Sequence, residues 1–222
     1  MSRTETEFSI ERELMVDWQL RRRDIRDPRV LEAFLEVPRH EFALPAYLSE
    51  AYEDHPSPIG EGQTISQPYM VAVMTQSLEL TGRERVLEVG TGSGYQAAIL
   101  SRLAGHVYTI ERYTSLSERA RERLERLGYG NVTCLVGDGS QGYPPAAPYD
   151  GVVVTAAAPQ VPSTLIDQLA EGGRLVIPVG HIYSQELVLV RKRGGQVSRK
   201  TVNYCRFVPL TGKHGWGGSE AA

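Results

Sequence analysis

Apolar residues along this chain recur every three to four positions in some stretches and crowd into short β-branched runs in others. The order of the two patterns predicts the architecture. Ile10, Leu14 and Trp18 stand four apart and predict a helix over residues 10–22 with that stripe turned inward. Asp27-Pro28 has the form of an N-cap followed by proline at the first helical position, and Val30, Leu31, Phe34 and Leu35 supply the apolar face of a second helix. From Pro38 to Gln67 no period is sustained, and a stretch this long, rich in Pro, Gly and Tyr, is expected to be a functional cap. Pro68 opens a third helix with Val71, Met74, Thr75 and Leu78 on one face and Gly82 beyond its end.

After Gly82 strand and helix patterns alternate. Arg85–Val89, His106–Glu111, Val132–Val136, Gly151–Thr155 and Arg174–Ile177 are β runs, with a helix over Tyr95–Leu103 and another after Pro162. Ser115 and Glu118 have capping-box spacing ahead of a helix carrying Leu116, Ala120, Leu124 and Leu127, and Gly128 supplies its stop. Strands alternating with helices predict an α/β fold, a doubly wound, mainly parallel sheet covered on both faces. Glu186–Lys192 and Val197–Val208, joined through Arg193-Gly194-Gly195, predict a hairpin that makes the C-terminal edge antiparallel. Residues 211–222 are Gly-rich and are expected to be a loose tail.

Charge narrows the function classes. Lys plus Arg is 24 and Asp plus Glu is 27, a formal net charge of −3, which gives none of the basic excess that dominates nucleic-acid affinity. Cys134 and Cys205 are far apart and form no C-x-x-C pair, so a reducing cytoplasm is the expected setting. No apolar stretch reaches the ~18 residues needed to cross a membrane, and charges interrupt the N-terminal segment, so neither a span nor an export signal is expected. Five scattered histidines form no ligand-spaced pair, and no metal site is expected. Cys134 sits in an apolar run as packing, and Arg21-Arg22-Arg23 reads as a solvated helix face.

The candidate chemistry lies at the strand ends. Glu88-Val89-Gly90-Thr91-Gly92-Ser93-Gly94 follows the first strand of the alternating region, where open α/β sheets bind ligands. The dinucleotide fingerprint would place its third glycine at position 95, where Tyr95 stands; the spacing here is G-x-G-x-G. This favours S-adenosylmethionine over NAD, because a ligand without a pyrophosphate needs less of the helix N-terminus. Glu111 ends the next strand and is placed to accept hydrogen bonds from both ribose hydroxyls, while Asp138, flanked by Gly137 and Gly139, could accept from the adenine amine. Asp150 reads equally as a turn residue or a ligand group.

With these motifs the chain resembles the protein-L-isoaspartate (D-aspartate) O-methyltransferase family, a class I S-adenosylmethionine-dependent (Rossmann-like) fold. VPRHEFAL from Val37, IGEGQTISQPYMVAVM from Ile59, VLEVGTGSGYQAAIL from Val86, VYTIER from Val107, GDGSQGYPPAAPYDGVVVTAAAP from Gly137, GGRLVIPVG from Gly172 and FVPL from Phe207 carry the resemblance. The glycine loop suits any class I methyltransferase, whereas GQTISQPYM together with FVPL is specific to this family. The resemblance implies methyl transfer to the α-carboxyl of L-isoaspartyl, and in the family's name D-aspartyl, residues of damaged proteins. The ester then cyclises to a succinimide, which begins repair.

The strand-end positions give Glu88, Gly90, Thr91, Gly92, Ser93, Gly94, Glu111, Asp138 and Gly139 to the cofactor, and the resemblance assigns Ser66 as the active-site residue. Thr64, Ile65, Ser66, Gln67, Val208, Pro209 and Leu210 fall to the substrate peptide. Residues 1–67 are then the N-terminal helices and substrate-side cap, 68–210 the cofactor-binding core, and 211–222 the tail. A carboxyl with an ordinary pKa of ~3.9 is already an anion at neutral pH, so no general base is required. Ser66 ahead of Pro68 also has the form of a helix-entry residue. Three alternatives remain at this point: a methyltransferase acting on RNA or a small metabolite, an NAD-dependent oxidoreductase, and a binding module that retains the fold.

Overall fold

The computed structural model describes residues 3–216. Helix α1 (Glu5–Met15) runs into a π-helical turn at Val16–Arg21 and is followed by α2 (Pro28–Glu36). A two-stranded antiparallel hairpin, β1 (Ser57–Gly60) and β2 (Gln63–Ile65), precedes α3 (Pro68–Ser77). The alternating region then gives β3 (Arg85–Val89), α4 (Tyr95–Ser101), β4 (His106–Glu111), α5 (Thr114–Arg126), β5 (Val132–Val136), β6 (Tyr149–Val154), α6 (Ser163–Asp167), β7 (Leu169–His181), β8 (Ser184–Arg193) and β9 (Gln196–Cys205).

Seven strands form one sheet in the order β5-β4-β3-β6-β7-β8-β9, parallel from β5 to β7 and antiparallel over β8 and β9. Alternation along β3 sends Val86 to one face and Leu87 and Val89 to the other, as strand geometry requires. The two faces are covered unequally. One buries residues of α1 to α5 in a cluster running from Phe8 to Leu189, so the N-terminal segment and the sheet share one core. The other is closed by α6, the Tyr143–Tyr149 segment and Leu210. Each fully buried Leu or Val in these clusters contributes about 1.5–3 kcal/mol.

Three expectations are corrected. The Ile10, Leu14, Trp18 stripe faces outward, with Trp18 57% exposed, and Phe8, Met15, Val16 and Leu20 are buried instead. Both stripes are apolar, and the π-helical turn widens the helix so that Val16 and Leu20 stay on the core side; Arg22 stacks over the outward Trp18 ring at 3.3 Å. The Ser115–Glu118 pair makes no capping box. Glu111 accepts from the Tyr113 amide at 3.0 Å, Tyr113 becomes the N-cap with no side-chain bond, and Ser115 falls inside the helix. A capping box does form at α1, between Thr4 and Glu7.

Residues 211–216 of the expected loose tail are tied down. Lys213 and His214 amides donate to Asp138 and Ser140 at 2.9 and 3.0 Å, and the Trp216 amide donates to the Leu210 carbonyl at 2.6 Å; residues 217–222 lie outside the described residues. Among the described residues no helix is long and apolar enough to cross a membrane.

Candidate active site

A single cleft at the carboxyl ends of β3, β4 and β6 is lined by β3 and its glycine loop (Glu88–Ser93), by Ile110–Tyr113 after β4, and by Gly139 and Thr155-Ala156. Its other wall is Gln63–Ser66 after β2 and Val208–Thr211. The strand ends set its geometry through the backbone. Gly90 donates to the Ile110 carbonyl and Thr155 to the Val89 carbonyl, both at 2.9 Å, which fixes the loop against its neighbouring strands. Gly90 has a φ of +99°, and a Cβ there would stand 2.3 Å from Thr155 Oγ1, so backbone conformation and contact both demand glycine.

Glu111 is buried, and its two carboxylate oxygens each accept one backbone amide, from Gly92 and from Tyr113, at 3.0 Å. A carboxylate offers about four acceptor positions, so two amides orient it and leave capacity for ligand hydroxyls. Glu88 is fully buried and accepts from Thr109 at 2.5 Å, while Thr109 shares a 2.6 Å contact with Thr91. Burial pushes the Glu88 carboxyl up to about 8, against the Thr109 bond that favours ionisation and with the Glu111 charge adding to the rise. Glu88 Oε1 and Gln96 Oε1, both on cleft-lining residues, are buried without a protein partner. Orphaned acceptors beside an oriented carboxylate suit a ligand rich in N–H and O–H donors, as an aminoacyl nucleoside is.

On the opposite wall Ser66 is half-buried, and its carbonyl accepts from Arg39 Nη2 at 2.8 Å. Gln67 is the N-cap of α3, so the Thr64–Ser66 turn meets the unsatisfied amide end of that helix, which favours an anion. Beyond β9, Pro209 bridges Ala157. The Ala157 amide donates to the Val208 carbonyl at 2.8 Å, and the Leu210 amide to the Ala157 carbonyl at 2.7 Å.

Of the residues singled out from the sequence, Thr64, Ile65, Ser66, Glu88, Gly90, Thr91, Gly92, Ser93, Glu111, Gly139, Val208, Pro209 and Leu210 line this cleft. Gly94, Gln67 and Asp138 do not. Gly94 is the N-cap of α4 and packs on α5, and the Gln67 side chain donates through Nε2 to the Asp54 carbonyl at 3.0 Å. Asp138 accepts from Ser140, Gln141 and Lys213. Burial opposes its ionisation, but the Lys213 amide and the Ser140 hydroxyl and amide outweigh it and hold the carboxyl below its ordinary value.

Asp150 is neither in a turn nor in the cleft: it lies in β6, where its carboxylate accepts from the Arg85 amide of β3 at 2.8 Å at the far end of the sheet. Cys134 is half-buried against the core, and burial pushes its thiol up to about 11. Tyr95, Gln96, Tyr113 and Thr155 also line the cleft, as does Arg112. Tyr95 had a signal in the sequence, since it replaces the third glycine of a dinucleotide loop; Thr155, whose hydroxyl leaves room only for glycine at position 90, had none.

Comparison with known proteins agrees with this geometry. A family model described as protein-L-isoaspartate(D-aspartate) O-methyltransferase (PCMT) matches residues 11–215. A protein-L-isoaspartate O-methyltransferase of Geobacter metallireducens is 55% identical over 214 residues, which is 96% of this chain and 99% of the relative. One of Methanoculleus marisnigri is 56% identical over 208 residues, 94% of each.

A solved protein-L-isoaspartate O-methyltransferase superposes with a TM-score of 0.81 at 34% identity, covering 92% of this chain and 67% of the other. A Plasmodium falciparum protein described as a beta-aspartate methyltransferase, in complex with S-adenosyl-L-homocysteine, gives 0.78 at 26% identity, with 90% and 98% coverage. The family model and these relatives match almost the full length of the chain, and the chain belongs to the protein-L-isoaspartate (D-aspartate) O-methyltransferase family.

Proposed function

We propose that this chain methylates the α-carboxyl of L-isoaspartyl residues in damaged proteins, with S-adenosylmethionine as donor and the two walls of the cleft dividing the work. The observation that carries this reading is the opposition of Glu111, oriented by two amides, to the Thr64–Ser66 turn in one cleft. Bound S-adenosylmethionine supplies a methyl group activated by its sulfonium. Glu111 accepts from the ribose hydroxyls, the Gly90–Ser93 backbone lies against the cofactor, and Glu88 and Gln96 take its remaining donors. Ser66 donates its hydroxyl to the substrate carboxylate or the adjoining main chain, and Val208–Leu210 runs beside the peptide as an extended strand would, which tolerates varied flanking sequences. Asp138 and Gly94 act behind the cofactor wall, by holding the backbone on which it rests.

The substrate carboxyl is an anion at neutral pH and attacks without losing a proton. The chain's contribution is therefore alignment, which can supply ~7–11 kcal/mol. Residues 1–67 act as the substrate side and 68–210 as the cofactor side. Two free cysteines support a reducing, cytoplasmic setting.

Matched aspartyl, isoaspartyl and D-aspartyl peptides with labelled S-adenosylmethionine test the reading. The isoaspartyl peptide should be methylated at least about 10²-fold more efficiently than the aspartyl one, because the extra backbone carbon displaces the carboxyl by about 1 Å. Comparable specificity constants for these two peptides would refute it. The D-aspartyl peptide measures how far the second half of the family description extends to this chain.

A further inference from the structure

Arg39 opens a short 3-10 turn (Arg39–Phe42) after α2, and only 1% of its surface is exposed. A buried guanidinium ordinarily faces a carboxylate, because an unpaired charge away from water is costly. This one faces carbonyls. Its Nε donates to Ala51 at 2.7 Å and its Nη2 to Ser66 at 2.8 Å, while Nη1 has no partner. The guanidinium lies 4.8 Å from the centroid of the Tyr95 ring, and Tyr95 lines the cleft. Asp54, the carboxylate among the weakest influences on Arg39, is paired with Arg23 at 3.1 Å. Burial pushes the guanidinium down from its ordinary value, yet an arginine remains charged at neutral pH.

The charge is thus spent on two backbone carbonyls that lie 15 residues apart, at Ala51 and Ser66, and on one cleft-lining ring. Both carbonyls belong to the substrate wall or the segment leading to it. A cation on the Ser66 carbonyl also polarises the Ser66–Gln67 peptide, which makes the amide at its other end a stronger donor. With no carboxylate beside it, the positive field of Arg39 extends toward the turn where an anionic substrate docks.

We propose that Arg39 is a positioning residue for methyl transfer, acting through the Ser66 carbonyl to fix the turn that receives the substrate carboxylate. The proposal rests on the reading of Ser66 as the substrate-side residue. Lysine cannot replace it, since a single ammonium lacks the planar fork that reaches two carbonyls at once.

The test compares full-length wild type, Arg39→Lys, Ser66→Ala and the double variant. Turnover and KM are measured with an isoaspartyl peptide, and S-adenosylhomocysteine affinity by calorimetry. Arg39→Lys should lower kcat/KM about 10- to 100-fold, the scale expected of misalignment, with S-adenosylhomocysteine affinity within about threefold of wild type. The double variant should fall no further than about threefold below the weaker single variant, because both changes act on one turn. Arg39→Gln, which keeps a donor and drops the charge, is measured in parallel and should lose at least as much as Arg39→Lys.

A loss in Ser66→Ala with wild-type turnover in Arg39→Lys overturns this proposal alone. Wild-type turnover in Ser66→Ala overturns the Ser66 reading and the proposal with it. Losses that multiply in the double variant make Arg39 independent of Ser66 and also overturn it. If neither Arg39 variant binds S-adenosylhomocysteine, or affinity falls in step with turnover, Arg39 holds the fold rather than the turn, and the proposal is discarded.

Discussion

The two walls of the cleft are built by different means. On the cofactor side the functional groups sit at strand ends, and backbone bonds between adjacent strands place them: Gly90 to Ile110, Thr155 to Val89, and the Gly92 amide to Glu111. On the substrate side the groups sit on a hairpin and a turn, and long side chains from elsewhere tie them down. Arg39 holds Ser66, Arg119 Nη2 donates to the Ile59 carbonyl at 3.2 Å, and Ser115 donates to Glu61 at 2.7 Å. A sheet fixes its strand ends whatever their side chains, whereas a loop has no ladder of its own and must be held by side-chain bonds. The cofactor wall should therefore be broken by backbone changes and the substrate wall by side-chain truncations.

The largest expected effect on the cofactor wall is that of Gly90→Ala. A φ of +99° strains any other residue, and the new Cβ would have to displace Thr155 Oγ1, which itself donates to the Gly90 carbonyl at 2.7 Å. A strained position costs about 1–3 kcal/mol before the clash is counted. S-adenosylhomocysteine affinity should fall by at least tenfold and chemical denaturation should shift to lower denaturant. Wild-type behaviour in both measurements would mean that the strand-end backbone does not set the wall.

Glu111→Gln is next. The amide replaces one acceptor oxygen with a donor, opposite amides that are already donors at Gly92 and Tyr113. Hydrogen bonds to a charged group are worth about 1.5–3 kcal/mol, so cofactor affinity should drop roughly 10- to 100-fold. Calorimetric titration with S-adenosylhomocysteine checks this, and unchanged affinity would remove Glu111 from the cofactor.

The same contrast explains what could be read from the sequence. Arg85–Val89 and His106–Glu111 are legible to the residue, the first as a β run that ends in a glycine loop and the second as a β run between two helical patterns, and strand register then delivers Glu111 to the cleft. The Gly194-Gly195 hairpin was legible for the same local reason. On the substrate side Ser66 was reached through the family resemblance, whereas the groups that hold it were not reached. Nothing near Arg39 in the sequence indicates that its partners are at residues 51 and 66. The outward stripe and the capping box that does not form fail for nearer reasons: a π-helical turn follows α1, and Glu111 takes the Tyr113 amide two residues on.

Glu88 offers a third test, of intermediate size. In the fold its carboxyl keeps its proton up to about 8, whereas in the unfolded chain it ionises near 4.5. Between those values the folded state binds a proton that the unfolded state has lost, so stability falls as pH rises through that window. Glu88→Gln removes this dependence. Against the variant, wild type should lose on the order of 1 kcal/mol per pH unit between about pH 6 and 7, since one unit corresponds to ~1.4 kcal/mol. Parallel urea curves at several pH values check it. Identical slopes would show that Glu88 ionises in the fold as freely as in the unfolded chain.

Ser115→Ala should have the smallest effect, and it separates the two walls at the point where they meet. Ser115 is exposed on the first turn of α5, a helix that starts where Glu111 binds the Tyr113 amide, yet its hydroxyl reaches across to Glu61 at the tip of the β1–β2 hairpin. A residue that capped the helix would cost about 0.5–2 kcal/mol when truncated to alanine. One that only ties an exposed side chain to a neighbouring loop should stay within about 0.5 kcal/mol. Urea denaturation should therefore barely move, and S-adenosylhomocysteine affinity should be unchanged, because Glu111 and its amides do not depend on Ser115. The loss should appear as faster amide exchange at the hairpin tip around Glu61, with Glu61→Gln giving the same local effect. A stability loss above about 1 kcal/mol would restore Ser115 to the cap. Protection unchanged at the hairpin in both variants would show that the Ser115–Glu61 bond does not hold the hairpin to α5 and would leave that role to Arg119.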